Sequence, residues 1–562
     1  MNLKSFSGAA ALALVTFAAA QAATPSFDIP REVAAVAKAQ ITAPVLSAPI
    51  RFLASDELEG RGPATRGDAL ARRYLATELE SLGYLPGGEN GTWEQTVDVV
   101  SVTAKLPPVW SFQAKGGSID LKWSEDYIAG SGVQQPSAAI DDAGLVFVGY
   151  GIEAPEYKWN DFKGVDVRGK VLVMLNNDPD WDPKLFAGNA RLYYGRWTYK
   201  FESAARHGAA GVIIVHTTPS AGYPWQVVQS SWGGAQFELP AEDEPRIQLR
   251  GWATEDAVRR LVKAGGADLD KLVAAAKTRG FKPVPLNLRT SIRFGNEISR
   301  VRTANVAGLL PGSDSKLKDE VVIYSAHHDH FGIGPPLKEG DKTGDKIYNG
   351  AEDNAAGCAQ VLAIARAMAA LPERPRRSML MLFVAGEEQG LLGSKYYSLH
   401  PTFAPGKIAA NINYDGGNYR GRTRDLTQIG VGKSSLDGIA KALVEAQGRV
   451  LVPDQFPDKG YYYRSDQFSF AKIGVPALYF DDGYDVIGKP PGWGKHEHEE
   501  WTEHVYHQPS DEIDDTWVFD GMIEDAMVGF GAGWLVAQAD ELPTWNPGDE
   551  FEATRLKALG QK

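Results

Sequence analysis

From Asn305 onward the chain alternates short, almost continuously apolar segments with longer segments of helical periodicity, and this alternation constrains the fold more than any other feature. The apolar segments predict strands at 321–326, 379–384, 408–414 and 476–480. The segments between and after them predict helices at 355–370, 436–445 and 520–538. Apolar strands separated by helices form a mostly parallel sheet that is covered on both faces. We therefore expect an α/β fold with a mostly parallel or mixed central sheet flanked by helices.

The stretch 121–282 follows a different pattern. Its predicted strands, at 145–148, 171–174 and 212–215, are short and bounded by glycine or by Asn and Asp, and helices are few. This pattern is typical of a compact β-rich domain. Since 562 residues are too many for one core, we predict a discontinuous main domain at 23–120 and 283–545, an insert at 121–282 and a polar tail at 546–562.

The first residues have the order of a secretory signal peptide. Lys4 precedes an apolar run from Gly8 to Ala20, and the small residues Ala20 and Ala22 fit the cleavage rule. We predict a signal peptide at 1–22 and a mature protein in the periplasm or outside the cell. No later segment is long and apolar enough to span a membrane, so no stable membrane anchor is expected.

Two counts exclude classes of function. The 58 basic and 71 acidic side chains leave a net charge of −13, which argues against a nucleic acid as partner. The single cysteine, Cys358, excludes an internal disulfide and a cysteine-based zinc site. It lies in the apolar pattern of a predicted helix, where we expect a small core residue.

Polar side chains follow several predicted strands, at the edge of the sheet where sites form in α/β proteins. They are His327 and Asp329 after the first strand, Glu387 and Glu388 after the second, Asp415 after the third, and Asp353 at the start of a helix. These nitrogen and oxygen ligands suit zinc, cobalt or manganese. Each residue alone has a simpler explanation, as a helix cap, a solvated carboxylate or a hydrogen-bonded histidine. Their joint placement at one edge favours a metal centre.

Five segments resemble the motifs of the M28 metallopeptidases, a family that includes secreted bacterial aminopeptidases. They occur in the family's order, at 325–332 (SAHHDHFG), 350–354 (GAEDN), 386–394 (GEEQGLLGS), 413–415 (NYD) and 506–511 (YHQPSD). The resemblance covers about 49–121 and 283–539. The insert, with GYG at 149–151 and AAGV at 209–212, resembles a protease-associated (PA) domain, a common companion in this family.

The resemblance implies a centre of two zinc ions, with cobalt or manganese as substitutes. Asp353 would bridge the two ions. His327 and Asp415 would complete one site, and Glu388 and His507 would complete the other.

Further residues would act on the substrate according to the same resemblance. Glu387 would be the general base, Tyr506 would donate a hydrogen bond to the developing oxyanion, and Asp329 would accept one from the first metal-binding histidine. Glu387 and Asp415 would hold a free α-ammonium group. Arg464 would touch the substrate, although an ordinary surface salt bridge explains it equally well.

Two nearby segments are less specific. The run 496–500 alternates His and Glu, and we predict a solvated loop that borders the cleft. Trp493 and the tyrosines at 461–463 are predicted to line an aromatic pocket, with core packing as the alternative.

The function implied is that of an exported, two-zinc exopeptidase that removes single residues from the amino end of peptides. The same machinery acts on a carboxyl terminus in carboxypeptidase or dipeptidase relatives, but no obvious arginine cluster flanks the metal segments. Glutaminyl cyclisation uses a related fold with one zinc, and the full ligand set weighs against it. A catalytically inactive, receptor-like binding protein would have lost ligands or the base, and the sequence retains them.

Overall fold

The computed structural model describes residues 28–334 and 344–561, so the predicted signal peptide at 1–22 lies outside the described residues. The helices are α1 Arg31–Gln40, α2 Ala43–Leu53, α3 Arg66–Ser81, α4 Trp197–Arg206, α5 Thr218–Ala221, α6 Trp225–Trp232, α7 Glu255–Ala264, α8 Leu269–Ala276, α9 Gly357–Ala369, α10 Leu392–Leu399, α11 Leu436–Ala446, α12 Gln467–Lys472, α13 Trp493–His504, α14 Asp520–Gln538 and α15 Glu552–Ala558. The strands of four or more residues are β1 Glu94–Lys105, β2 Val109–Ala114, β3 Gly117–Lys122, β4 Tyr127–Ser131, β5 Ser137–Phe147, β6 Val171–Leu175, β7 Gly211–His216, β8 Leu249–Thr254, β9 Val284–Leu310, β10 Val321–His327, β11 Ser378–Val384, β12 Ile408–Tyr414, β13 Asp425–Ile429, β14 Val450–Pro453 and β15 Ala477–Asp481.

The main domain contains a mixed sheet in the strand order β1–β9–β11–β10–β12–β15–β13–β14. The strands β11, β10, β12 and β15 are parallel, whereas β9 is antiparallel to β11 and β13 is antiparallel to β15. The predicted α/β fold with a mostly parallel or mixed sheet is therefore confirmed. Because the parallel strands end at one edge, the residues that follow them come together there.

Both faces of this sheet are covered, which explains why its central strands are apolar throughout. Alternate residues of β10 point to opposite faces. Val322 and Tyr324 belong to a core that also contains α2, α9 and α14, whereas Val321 and Ile323 pack with residues of α10 and α12. Cys358, on α9, is fully buried in the first core, as the sequence predicts.

The predicted polar tail at 546–562 packs against the main domain in its described part. It contains α15, where the guanidinium of Arg555 is buried and donates hydrogen bonds to the carbonyls of Ile408 at 2.9 Å and Pro405 at 3.3 Å. Phe551 is also buried, with its ring 5.1 Å from that of Trp545. The polar segment is thus anchored by one apolar and one cationic side chain, which its composition alone does not indicate.

A single long strand, β9, joins the insert to the main domain. Its first part pairs with β2 and β5, and its second part pairs with β1 and β11. Since β2 and β3 already belong to the sheet of the insert, the insert begins at Val109 rather than at the predicted residue 121. We use "insert" below for residues 109–283.

The insert has more regular α/β character than its sequence suggests. Its strands β5, β6, β7 and β8 are parallel neighbours, and β4 closes the sheet in the antiparallel direction. Val171 and Val173 face one core while Leu172 and Met174 face a second, so both sides of the sheet are buried. Helices α4 and α6 contribute to the second core and α7 and α8 to the first.

No single helix in the described ranges is both long and apolar enough to cross a bilayer. Only α1 and α2, bent by 42° where they meet, satisfy the length and composition requirements as a pair.

Candidate active site

Three predicted ligands meet beyond the end of β10. His327 is the last residue of that strand, Asp415 directly follows β12, and Asp353 lies in an irregular turn before α9. Nε2 of His327 lies 3.1 Å from Oδ1 of Asp415 and 3.1 Å from Oδ1 of Asp353. The spacing allows one atom from each side chain to contact a single cation.

A second group of ligand atoms surrounds the other oxygen of Asp353. Its Oδ2 lies 3.3 Å from Nε2 of His507, which in turn lies 3.1 Å from Oε2 of Glu388. His330 also contacts this group, with Nδ1 2.6 Å from Oε1 of Glu388. Asp353 therefore presents one carboxylate oxygen to each group.

Bonds from distant segments hold the turn that carries Asp353. Asp511 accepts a hydrogen bond of 3.0 Å from the backbone N–H of Asp353. The neighbouring Asn354 donates a bond of 3.0 Å to the carbonyl of Tyr414, the residue before Asp415. One set of contacts thus positions ligands from two different elements.

Neighbouring residues at the end of β10 have different partners. His327 faces the ligand group, whereas Nε2 of His328 lies 3.0 Å from Oδ1 of Asp68 on another side. Asp329 is fully buried and accepts a bond of 3.1 Å from the backbone N–H of Glu387. Nδ1 of His327 lies 3.3 Å from the carbonyl oxygen of Asp329 and 3.7 Å from its carboxylate. The backbone carbonyl of Asp329 is thus closer to the ring of His327 than its carboxylate is.

The carboxylates of the cluster strongly favour positive charge beside them. Burial raises the pKa of Glu387 well above its ordinary value, and the charges of Asp415 and Glu388 add to this effect. Burial acts in the opposite direction on His507, but Glu388 and Asp353 outweigh it and raise its pKa to about 9. Such shifts are typical of functional sites.

The donor set fits a metal centre. Nε2 of His507 is buried and faces two carboxylates, yet its geometry makes no hydrogen bond to any described residue. A buried polar atom without a partner is costly unless a ligand satisfies it. Imidazole nitrogens and carboxylate oxygens bind zinc and related ions, and three protein ligands per ion leave a position open.

The region that holds these residues also matches a known family. Residues 305–527 match the family model for Peptidase family M28, and all the predicted metal ligands lie inside this match. The chain carries an M28 peptidase domain. It is 24% identical over 318 residues to "Aminopeptidase NAALADL1" of Rattus norvegicus, covering 47% of this chain and 38% of that protein. It is 27% identical over 223 residues to a "Vacuolar membrane protease" of Verticillium alfalfae, covering 36% of this chain and 19% of that protein. The matches therefore span less than half the length of these relatives.

One solved structure shares the fold over nearly the whole chain. It is the "Aminopeptidase from Aneurinibacillus sp. strain AM-1", with a TM-score of 0.52 and 18% sequence identity. The likeness covers 91% of this chain and 97% of that one. The overall fold is thus similar to that of a solved aminopeptidase.

The insert forms one wall of the M28 site. Oγ of Ser231, on α6, lies 3.1 Å from Nδ1 of His507, the ring nitrogen that faces away from the carboxylates. The backbone N–H of Phe237 donates a bond of 3.2 Å to Gln389, next to Glu388. His507 has a φ of 56°, a strained conformation for a residue other than glycine. Contacts from both units therefore hold this histidine.

Tyr506 and Arg464 meet in the cleft. The guanidinium of Arg464 donates a bond of 3.1 Å to the hydroxyl of Tyr506. It also lies over the rings of Tyr461 and Tyr223, 5.1 Å and 5.5 Å from their centroids, and Tyr223 belongs to the insert. Arg464 makes no ion pair with any residue that the structure describes, so the salt-bridge alternative is wrong.

Two hollows meet at Glu387, Arg464 and Tyr506, which line both of them. The first, the acidic hollow, encloses about 700 Å³ including space open to solvent, and it is also lined by Glu352, Asp353, Asp415, Tyr461, Tyr479 and Asp481. The second, the cationic hollow, encloses about 1170 Å³ on the same basis, and it is also lined by Arg196, Trp197, Tyr223, Ser231, Lys395 and Lys472.

The segment after Trp493 differs from the prediction. It forms α13, so residues 496–500 are helical instead of a solvated loop. His498 turns inward, with Nε2 3.1 Å from the hydroxyl of Tyr461, and burial lowers its pKa to about 3. Tyr461 lines the acidic hollow and Tyr463 the cationic one, whereas Trp493 lines a separate hollow with Tyr419 and Trp501. Tyr461 and Tyr463 therefore line the site as predicted, while the hollow that Trp493 lines lies apart from the predicted metal ligands.

Four residues of the site were missed at the level of sequence. His330 and Asp511 lie within the motifs at 325–332 and 506–511, so the motifs themselves held the signal. Asp481 ends β15 and follows the same strand-end rule as the predicted ligands. Ser231 has no such signal, because only the docking of the insert brings it to His507.

Proposed function

We propose that this chain is a dinuclear zinc aminopeptidase that removes single residues from the amino end of peptides. The observation that carries the proposal is the position of Asp353. Its Oδ1 lies 3.1 Å from His327 and its Oδ2 lies 3.3 Å from His507, so one carboxylate can bridge two ions. The M28 domain supports peptide hydrolysis, and the similarity to a named aminopeptidase supports action at the amino end.

The ligands divide into two sets that share Asp353. His327 and Asp415 would complete one site, and Glu388 and His507 would complete the other. Zinc bound there would activate a water molecule and polarise the scissile carbonyl. Cobalt or manganese would suit the same donors.

Glu387 is the proposed general base. It makes no ion pair with a described residue, it lines both hollows, and its backbone is held by Asp329. It takes the proton of the attacking water and delivers it to the leaving amine. The hydroxyl of Tyr506, held by Arg464 at 3.1 Å, donates a hydrogen bond to the developing oxyanion.

The acidic hollow is the proposed binding site for the free α-ammonium group. Besides the ligands Asp353 and Asp415 it presents Glu387, Glu352 and Asp481. A positive amino group gains energy from these carboxylates, whereas a substrate carboxylate would be repelled. This charge distribution favours cleavage at the amino end.

A pair of substrates tests the proposal. Leucine p-nitroanilide and N-acetyl-leucine p-nitroanilide are assayed with zinc-loaded protein, with chelator-treated protein and after zinc is restored. We expect hydrolysis of the free amine only, loss of activity on chelation, recovery with zinc, and two zinc ions per chain by elemental analysis. Cleavage of the acetylated substrate, or full activity after complete metal removal, would contradict the proposal.

The same experiment separates the other functions. A receptor-like binding protein would release no p-nitroaniline from either substrate, and a glutaminyl cyclase would bind one zinc ion per chain. The convergence of five ligand-type side chains and Glu387 on one site supports an active enzyme.

We also propose that the protein is exported and that the insert is a protease-associated domain. The pattern at 1–22 supports a cleaved signal peptide and a mature chain that begins at Ala23. N-terminal sequencing of protein from the periplasm or the medium tests this. A mature chain that retained residues 1–22 would contradict it.

A further inference from the structure

The cationic hollow differs in charge from the rest of the chain. Its basic residues are Arg196, Lys395, Arg464 and Lys472. Apart from Glu387 and Glu388, which belong to the reaction centre, its one acidic residue is the exposed Glu202. The whole protein has a net charge of −13, so this concentration of positive charge beside the base is a local feature.

The guanidinium of Arg196 lies 5.7 Å from the ring centroid of Trp197, but no acidic side chain of the described residues is within ion-pair distance of it. Its Nε is buried without a hydrogen bond, and no ion pair to its guanidinium occurs in the described ranges. Two buried arginines elsewhere in the protein do have an acidic partner: Arg377 lies 2.9 Å from Glu320, and Arg449 lies 2.7 Å from Asp525. A guanidinium without a counterion in a partly closed site favours the binding of an anion.

The backbone next to Arg196 adds to this preference. Arg196 directly precedes α4, and Trp197 and Thr198, in the first turn of that helix, also line the cationic hollow. No side chain caps this helix end. Free N–H groups at a helix start attract negative charge. Burial, and then the charge of Arg464, lower the pKa of Arg196 to about 10, which leaves it charged at neutral pH.

We propose that Arg196 and Arg464 bind a carboxylate on the part of the substrate that leaves after cleavage. Arg464 lines both hollows and so lies next to the reacting bond, whereas Arg196 lines only the cationic hollow. A substrate with its ammonium group in the acidic hollow would then place a carboxylate near Arg196. This inference rests on the proposed aminopeptidase function.

The substrate class that fits both hollows is a short peptide. In a dipeptide the carboxylate is the chain terminus, and in a longer peptide it is an acidic side chain directly after the cleaved bond. The shared chemistry is one carboxylate on the residue that becomes the new amino end.

Matched substrates test the carboxylate site. The values of kcat/KM are measured for leucylglycine, for leucylglycinamide, and for leucylglutamate with an amidated α-carboxylate. We expect leucylglycine to exceed its amide by about tenfold to a hundredfold, the effect of one charge-assisted hydrogen bond. Equal rates for the acid and the amides would overturn the inference. A preference shared by the glutamate substrate would support it and identify the side chain as a second source of the carboxylate.

Two variants assign the preference to the hollow. Arg196→Gln is expected to reduce the ratio of acid to amide to less than about threefold, since the guanidinium supplies the discrimination. Arg206→Gln is the matched control, because Arg206 lies at the exposed end of the same helix and lines neither hollow. A ratio unchanged in Arg196→Gln would overturn the inference.

A binding measurement keeps the inference independent of turnover. N-acetyl-leucine and N-acetyl-leucinamide are titrated into the zinc-loaded protein, with tryptophan fluorescence as the readout. We expect the acid to bind at least about tenfold more tightly in the wild type, and this difference to be lost in Arg196→Gln. A difference that persisted in the variant would assign the carboxylate to the metal ions and overturn the inference. Hydrolysis of none of the peptides, with carboxylate-dependent binding intact, would refute the proposed function and leave the anion site supported.

Discussion

The main domain and the insert both reach the cleft, but they bring different kinds of side chain to it. The main domain supplies all the predicted metal ligands, Glu387 and Tyr506. The insert supplies Ser231, Arg196 and Tyr223, which surround the reacting groups without belonging to them. The insert thus adds contacts around a site whose predicted metal ligands and base all belong to the main domain.

The difference follows from how each unit holds its residues. Metal ligands need precise positions, and here they extend from buried strands or from turns tied to those strands by hydrogen bonds. The contact residues of the insert lie at a helix start, on a short helix and in a loop. Such positions can change in sequence while the predicted metal ligands keep their arrangement.

The largest effect is expected where the comparison assigns the chemistry. Glu387→Gln should lower kcat by about 10²- to 10⁴-fold, because the amide cannot accept the proton of the attacking water. Both metal ions should remain, since Glu387 is not a predicted ligand. Elemental analysis and steady-state kinetics measure the two quantities. Glu499→Gln, on the exposed side of α13, is the control, and strong residual activity in Glu387→Gln would place the base elsewhere.

A pH-dependent loss of stability is expected from the insert. Burial lowers the pKa of His216 from 6.5 to about 4, so the folded insert favours the neutral ring. Above pH 6.5 the ring of His216 is neutral in both the folded and the unfolded chain, so it does not change the free energy of unfolding. As the pH falls from 6.5 towards 4, the ring takes up a proton in the unfolded chain but not in the folded chain. The free energy of unfolding is therefore lower at pH 4 than at neutral pH by roughly 3 kcal/mol.

Comparison with a variant isolates this contribution. His216→Gln should lose less stability than the wild type between pH 7 and pH 4, as measured by urea unfolding followed by tryptophan fluorescence. Trp225 and Trp252 pack against His216 and report on its surroundings. Identical pH profiles for the two proteins would show that the ring is protonated in the folded insert.

The contact between Ser231 of the insert and His507 of the main domain tests whether the insert affects the proposed metal site. Ser231→Ala should weaken zinc binding by about tenfold to a hundredfold, because the ring of a metal-binding histidine loses the partner that orients it. Zinc affinity is measured by competition with a chromogenic chelator. Ser230→Ala is the matched control, since the hydroxyl of Ser230 donates its hydrogen bond to the carbonyl of Val227 on the same helix. Equal affinities in the two variants would confine the chemistry to the main domain.

The smallest effect is expected at the outer contact of the insert. Nε2 of Gln226 donates a bond of 2.7 Å to the carbonyl of Glu503 at an exposed position. Gln226→Ala should change kcat/KM by less than about threefold, because exposed hydrogen bonds contribute little net energy. A larger change, measured with leucine p-nitroanilide, would indicate that the insert moves relative to the main domain during turnover.

Much of the main domain could be predicted from sequence because local pattern and burial agree there. Ile408–Tyr414 and Asp520–Gln538 have the predicted bounds, and the strand-end rule identified His327, Glu387 and Asp415 as neighbours. Helix α9, which follows Asp353 in the sequence, was predicted to begin at 355 but begins at Gly357. The backbone N–H of Asp353 in the preceding turn donates to the side chain of Asp511 and not to a carbonyl within a regular helix.

The rest depended on long-range contacts. Ser231 and Arg196 lie far from the motifs in sequence, and only the packing of the insert brings them to the cleft. The absence of an arginine cluster near the metal motifs was argued from sequence proximity, but Arg196 reaches the site from another unit. Arg555 looked like a tail residue because its carbonyl partners, Pro405 and the first residue of β12, are distant in sequence.

The long strand β9 restricts motion of the insert relative to the main domain. It is hydrogen-bonded to β1 from Gly295 to Val306 and to β5 between Val284 and Gly295, so one backbone belongs to both sheets. A swing of the insert about this junction would break paired backbone bonds, each with a cost. The fold therefore fixes the width of the cleft between the insert and the main domain. The proposed selection of substrates by the charged groups that line the two hollows therefore requires no closing motion of the insert.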